Sequence, residues 1–348
     1  MSFQVGSTVG DYEFLDVVNS SKSEITFRVR NVHAQRVEAL KVLHKSREDD
    51  QDFVARFMRQ MRVQARLQHP NIVGFHDALE LGGHLVMTTE IVEGPTLAQR
   101  LELGPLHWRK ALEIFSQVLQ GLAFAHQQDI VHRNLAPESI IILPNGTVKL
   151  GGFALAKQAG DHQLTQVGTA LGPLKYMSPE QVKGLPSVDA RSDIYSAACV
   201  LYEALTGRPP FDYKSEFEVM LAQVNEAPIP PSTFSPEVPS ELDGIMLKAL
   251  SKEPLQRFQT SIEFLDAIDR VRTSIEPALR AIEAELGQPL PPSPEQRSIP
   301  VVPAASAAVD DPVKVKAGPS VPELVLAGVL TFAGTVLLVL GLLTVSKL

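Results

Sequence analysis

The sequence predicts an α+β chain of two lobes, strand-rich first and helix-rich second, followed by a C-terminal transmembrane helix. Three observations carry that prediction. Residues 11–93 hold β-forming stretches around one amphipathic helix, residues 94–275 carry long apolar patterns at helical spacing, and residues 324–346 run without a charge.

In the first lobe, Tyr12–Val18 and Ile25–Asn31 are rich in β-formers, and Arg36–Leu43 alternates apolar and polar residues through Lys41. Asp52–Leu67 reads as a helix with Phe53, Phe57, Met61 and Leu67 near one face, stopped by His69-Pro70. Ile72–His76 and His84–Thr89 supply two more strands. In the second lobe, Trp108–Gln127 places Ala111, Ile114, Val118, Leu122 and Ala125 at helical spacing. Asp193–Leu205 is nearly continuous apolar, which predicts a helix buried on all sides. Ser240–Leu250 and Ile262–Val271 complete the helical half, and residues 276–287 extend it.

Residues 288–322 turn to Pro, Ala, Ser and Val. Six prolines between Pro289 and Pro303 preclude a helix and favour a semi-rigid, extended linker. The uncharged stretch from Leu324 to Ser346 would be about 34 Å long as a helix, enough to cross a bilayer core. Lys314 and Lys316 before it, against Lys347 after it, favour a cytoplasmic location for the preceding domain. The expected localisation is the membrane, through a single-pass C-terminal anchor. The first ten residues have neither the charged nor the apolar region of a secretory signal.

The 348 residues and 44% hydrophobic content allow a sizeable core, and the net charge of −8 argues against a nucleic-acid partner. A single cysteine, Cys199, excludes an intramolecular disulfide and reads as a buried structural thiol. Nine histidines are scattered without metal-ligand spacing, so a zinc site is not expected.

The run Ile130-Val131-His132-Arg133-Asn134-Leu135-Ala136-Pro137-Glu138-Ser139 resembles the catalytic loop of the protein kinase family. Glu38-Ala39-Leu40-Lys41, His69-Pro70-Asn71-Ile72-Val73, Ser178-Pro179-Glu180, Asp193-Ile194-Tyr195-Ser196, Thr206-Gly207-Arg208-Pro209-Pro210-Phe211 and Lys252-Glu253-Pro254 follow the family's markers in order. The closest flavour is the bacterial Ser/Thr kinase group. The resemblance spans about residues 11–271 and implies a two-lobed kinase-like fold, with the first lobe ending near residue 93.

What the resemblance implies for chemistry is a kept scaffold and a dismantled site. Phosphoryl transfer needs positioned phosphates, Mg²⁺ on carboxylate and amide ligands, and a carboxylate to accept the hydroxyl proton. Asn134 stands where the family has that proton-accepting Asp, and loss of general-base help costs on the order of 10²–10⁴ in rate. Ala136 replaces a phosphate-clamping Lys, and Ser139 replaces a metal-binding Asn. Gly152, ahead of Phe153, replaces the metal-binding Asp. The glycines of the phosphate-covering loop correspond to Asn19, Ser21 and Glu24, with Lys22 as a partial compensation.

Lys41 keeps the position that pairs with nucleotide phosphates; the alternative is a lysine that merely snorkels from its strand. Its usual helix-borne Glu is Gln60. Ala39, Glu90 and Val92 correspond to an adenine pocket. ATP binding is therefore expected to be weak, and Mg²⁺ is not expected. Pro173 stands where a Thr contacts the catalytic groups.

Retained features are Glu180 and Arg257 as a buried ion pair, Asp193 as the group holding the catalytic-loop backbone, and His132 with Phe153 as packing partners. Arg133 either binds a phosphate on Thr165 or Thr169 or braces its own loop. These replacements point to a membrane-anchored pseudokinase acting as a signalling or scaffold protein, with other kinases or substrates as protein partners. The alternatives are an active Ser/Thr kinase using displaced carboxylates such as Glu138 or Asp161, and a nucleotide-sensing switch without transfer.

Overall fold

A computed structural model of the chain describes residues 3–21, 24–43, 50–153, 157–158 and 173–286. They all fall in one compact unit, Met1–Pro289; the second unit, Leu290–Leu348, lies outside the described residues.

The first lobe is a six-stranded antiparallel sheet with one helix. Its strands are β1 (Thr8–Val9), β2 (Tyr12–Ser20), β3 (Glu24–Asn31), β4 (Arg36–Leu43), β5 (Phe75–Leu81) and β6 (His84–Glu90), in the order β1-β2-β3-β4-β6-β5. Alternation gives the sheet two faces. On one, Phe14, Phe27, Val29, Leu40, Val42 and Val86 form a buried cluster. On the other, Leu43 and Met87 pack on Phe57 and Met61 of α1 (Gln51–Gln64). Asp50 starts α1 by accepting the N–H groups of Asp52 and Phe53, two of the donors that a helix start leaves open. The helix ends three residues before the expected Leu67.

The predicted strand Ile72–His76 is displaced. Ile72 makes only an isolated bridge to Leu150, and the strand runs from Phe75 to Leu81 instead. The physical reason is that Asn71 and Val73 use their backbone groups on Leu150, which anchors this segment to the second lobe.

The second lobe is built on α3 (Trp108–Gln127) and α5 (Ala190–Thr206), preceded by the short α2 (Leu97–Leu101). Most of α5 is buried, from Ser192 to Leu205, as its continuous apolar run requires. Between α3 and α5 lie β7 (Ile130–Val131), paired with β10 (Lys157–Gln158), and the hairpin of β8 (Ile140–Ile142) with β9 (Val148–Leu150). The short α4 (Pro179–Val182) precedes α5, and α6 (Glu216–Asn225), α7 (Pro231–Phe234), α8 (Ser240–Ala249) and α9 (Ser261–Leu286) follow it. The last helix takes in both Ile262–Val271 and the expected extension.

Among the described residues no helix is long and apolar enough to cross a membrane. Residues 324–346 lie outside the described residues, so the predicted transmembrane helix gains no support from the structure.

Candidate functional site

The cleft between the lobes is assembled from β3, β4 and α1 above and from the loop 132–139 and the segment after β9 below. Three ties set the lower wall. Asn71 donates to the Val148 carbonyl at 3.0 Å and accepts from Leu150 N–H at 2.9 Å, fixing β9. Gly151 N–H donates to the Ser139 carbonyl at 2.8 Å, and the Gly151 carbonyl accepts from His132 Nε2 at the same distance. The His132 ring meets Phe153 edge-on at 4.5 Å. Burial holds the His132 imidazole below its ordinary pKa, against the opposite pulls of Asp193 and the Gly151 carbonyl.

Asp193, wholly buried on α5, organises the loop. Its carboxylate accepts the backbone N–H groups of His132 and Arg133 and His126 Nε2, each at 2.8 Å. Arg133 sits in left-handed backbone at φ +65°, a conformation that a non-glycine residue keeps only when its surroundings hold it. Burial alone would raise the pKa of Asp193, but His126 and these N–H groups outweigh it and keep the carboxyl below the ordinary range. The Arg133 guanidinium donates to the Val188 carbonyl at 3.4 Å, which braces its loop against the segment before α5. Thr165, Thr169, Lys22 and Asp161 lie outside the described residues.

Glu180 and Arg257 meet as a buried bidentate pair. Burial works against ionisation of Glu180, yet Arg257 and the Ser192 hydroxyl hold its carboxyl below the ordinary range. Cys199 is buried, and desolvation pushes its thiol up to about 12.

Asn134, Ser139 and Gly152, at the expected reacting centre, carry no carboxylate. Asn134 is half-buried, and among the described residues its amide oxygen has no hydrogen-bond partner. Pro173 lines the same crevice and has neither an N–H nor a hydroxyl to give it. Ala136 N–H donates to Ser139 Oγ at 3.2 Å, and that hydroxyl donates to the Ala136 carbonyl at 2.7 Å. Gly152 adopts φ +81°, and a Cβ there would come within 3.1 Å of the Ser139 Cβ. Glu138 is exposed.

The upper wall differs from the sequence expectation in its ion pairing. Lys41 Nζ pairs with Glu24 Oε2 at 3.1 Å, whereas Gln60 is buried on α1. Ala39 lies between them and the hinge, half-buried opposite Arg28 in the β3–β4 register. Arg28 in turn reaches Asp16 at 3.3 Å and Glu93 at 2.8 Å. The Glu90 carboxylate accepts from Gly74 N–H at 2.7 Å and pairs with Lys149 at 2.6 Å, so its side chain fixes the hinge. Val92 follows it, half-buried.

A Mg²⁺ ion would need hard oxygen donors, one or two of them carboxylates. At the two expected positions the donors are a glycine and a serine hydroxyl already engaged with Ala136, so this donor set fits the ion poorly.

Residues 19–267 match the family described as protein kinase domain. The chain is 38% identical to a serine/threonine-protein kinase PknB of Mycolicibacterium smegmatis over 267 residues, 75% of this chain and 43% of that protein. It is 34% identical to the serine/threonine-protein kinase PrkC of Bacillus subtilis, over 72% of this chain and 39% of that protein. The chain thus spans less than half the length of these relatives. The solved kinase domain of Mycobacterium tuberculosis PknI superposes with a TM-score of 0.61 at 27% identity, covering 77% of this chain and 99% of that one. The family as a whole implies ATP and Mg²⁺, so the expectation that Mg²⁺ is not used finds no support in these relatives. The match over most of the chain and the two-lobed fold lead to one conclusion: this chain belongs to the protein kinase domain family, of the bacterial serine/threonine type.

Proposed function

We propose that the chain is a membrane-anchored, kinase-like signalling or scaffold protein that performs little or no phosphoryl transfer and binds ATP weakly. The observation that carries this reading is the chemistry at Asn134, Ser139 and Gly152. None of the three supplies a carboxylate, and the one hydroxyl among them is bonded to its own loop. A neutral amide does not accept a proton at pH 7, which removes about 10²–10⁴ in rate before the metal is considered. The scaffold around the site supports a binding role, because Asp193 and the Glu180–Arg257 pair still hold the loop and the helical lobe in place. Its partners would then be other proteins, docking on the helical lobe. The anchor rests on the apolar residues 324–346 alone.

The second reading is an active Ser/Thr kinase with an atypical site, using ATP and Mg²⁺. The comparisons favour it over the first: relatives at 34–38% identity are named serine/threonine-protein kinases. Overall identity, however, averages over more than 250 aligned residues, while the chemistry resides in a handful. The purified full chain incubated with γ-labelled ATP and Mg²⁺ or Mn²⁺ separates the two. The first reading expects no label above background. Turnover that vanishes in Lys41→Ala establishes the second.

A further inference from the structure

The family's lysine on β4 has an anion beside it, supplied from an unexpected direction. In the β3–β4 register Thr26 lies opposite Lys41, so Glu24, two residues along β3, projects on the same face of the sheet. Its carboxylate reaches Lys41 Nζ at 3.1 Å, and each side chain retains only 26% of its exposure. The backbone at Glu24 is also fixed: Ser21 N–H donates to the Glu24 carbonyl at 2.9 Å, and Glu24 N–H donates to Ser21 Oγ at 3.0 Å. The backbone of Glu24 is therefore held at the start of β3, and the ion pair places its carboxylate against Lys41. On the helix side, Gln60 brings an amide and no charge.

In the family the corresponding lysine serves a helix-borne Glu and the phosphates together; here the helix side holds Gln60, and the carboxylate comes instead from β3, the strand that follows the phosphate-covering segment. A phosphate arriving at Lys41 must either displace Glu24 or lie beside a like charge, and both are unfavourable in a partly desolvated cleft. We propose that Glu24 is a tethered anion occupying the phosphate subsite of Lys41, so that this one residue sets the cleft against nucleotide phosphates while leaving its response to the base unchanged. The inference rests on reading the cleft as a nucleotide site, and it names what makes nucleotide binding weak there. Glu24 is thus a specificity residue in the binding cleft, distinct from the losses at Asn134, Ser139 and Gly152.

The test is a pair of calorimetric titrations of the full chain in mild detergent, with ATP and with adenosine, in buffer containing EDTA so that no transfer runs. Glu24→Gln removes the charge and keeps the shape; Glu24→Asp keeps a charge; Glu24→Gln combined with Lys41→Met removes the group that would profit. The expected result is ATP binding at least fivefold tighter in Glu24→Gln than in the wild type or its detection limit, with adenosine shifted less than twofold. The gain should be absent in the double variant and below fivefold in Glu24→Asp. A gain below fivefold in Glu24→Gln, an equal gain for adenosine, persistence without Lys41, or an equal gain in Glu24→Asp each overturns the proposal. Melting curves of the variants confirm that the fold is intact. Phosphate transfer by the wild type in Mg²⁺ is a separate measurement; it would sink the proposed function and leave this affinity comparison standing.

Discussion

Arg257 grips Glu180 through both arms of its guanidinium, 2.8 Å on each side, with the arginine side chain wholly out of solvent. The remaining donors are also placed: Nε on the Ser251 carbonyl, Nη1 on Arg191 and Nη2 on Lys252. A buried pair of this kind costs desolvation, so its removal by halves is what hurts. Arg257→Met strands the Glu180 carboxylate and three backbone carbonyls. It should destabilise the domain by about 3–5 kcal/mol, read as a lower midpoint in urea unfolding. An unchanged midpoint would mean that the pair is dispensable.

Gly94, just after the hinge, approaches the backbone of β8 so closely that an added Cβ would land on the Ile142 carbonyl oxygen. Backbone cannot step aside as a flexible side chain can. Gly94→Ala should cost about 1–3 kcal/mol through overpacking. Gly244 in α8 is the contrast, since nothing lies within 4 Å of an added Cβ. Gly244→Ala should stabilise by roughly 0.5–1 kcal/mol by removing backbone freedom from a helix interior. Thermal melts of the two variants should move in opposite directions.

Much of the fold was legible because its signals are local. Trp108–Gln127 is predicted residue for residue, since an unbroken period near 3.6 leaves one solution for a 20-residue helix. The helix α6 escaped detection because Phe217 and Leu221 are exposed while Val219, Ala222 and the polar Gln223 are buried, so apolar pattern and burial disagree. At the site, Asn134 and Gly152 are placed by their positions in the family's motifs. The partner of Lys41 is not. Sequence order places Glu24 at a glycine position of the phosphate-covering loop and Gln60 at the position of the lysine's usual helix-borne partner. Only the register of β3 on β4 shows that the carboxylate bonds the ammonium.

Acid should unfold the domain in two stages. His132 is held neutral in the fold, below its ordinary value of 6.5, while the unfolded chain takes up a proton there. Its contribution is complete above that pH and is lost as pH falls through the folded value. Asp193 and Glu180 are depressed below 3.8 and 4.5, so their contributions stay intact above those values and fail at lower pH. Stability measured by urea titration from pH 8 down to 3 should be flat first, then decline below about pH 6.5, then fall more steeply below about 4.5. His132→Asn should shrink the first decline without abolishing it, because burial also holds His69 and His107 below their ordinary value; a first decline of unchanged size would remove His132 from the account.

Restoring the family's residues at Asn134, Ser139 and Gly152 tests whether the scaffold is competent for transfer. Asn134→Asp alone restores a base without a metal site and should give no transfer. Gly152→Asp alone should mildly destabilise, because φ +81° disfavours a side chain and the new Cβ meets Ser139 at 3.1 Å. Aspartate is among the residues that tolerate this backbone region best, so the substitution is permitted. Combining both with Ser139→Asn supplies carboxylate and amide oxygens together, as Mg²⁺ coordination in such sites requires. The triple variant should transfer label from saturating ATP at a rate on the order of 10² or more above the wild type, given what general-base catalysis alone contributes. A triple variant that folds, binds ATP and still fails to label any protein would mean that the obstruction extends beyond these three residues. With Glu24 beside Lys41, the first place to look would be the upper wall of the cleft.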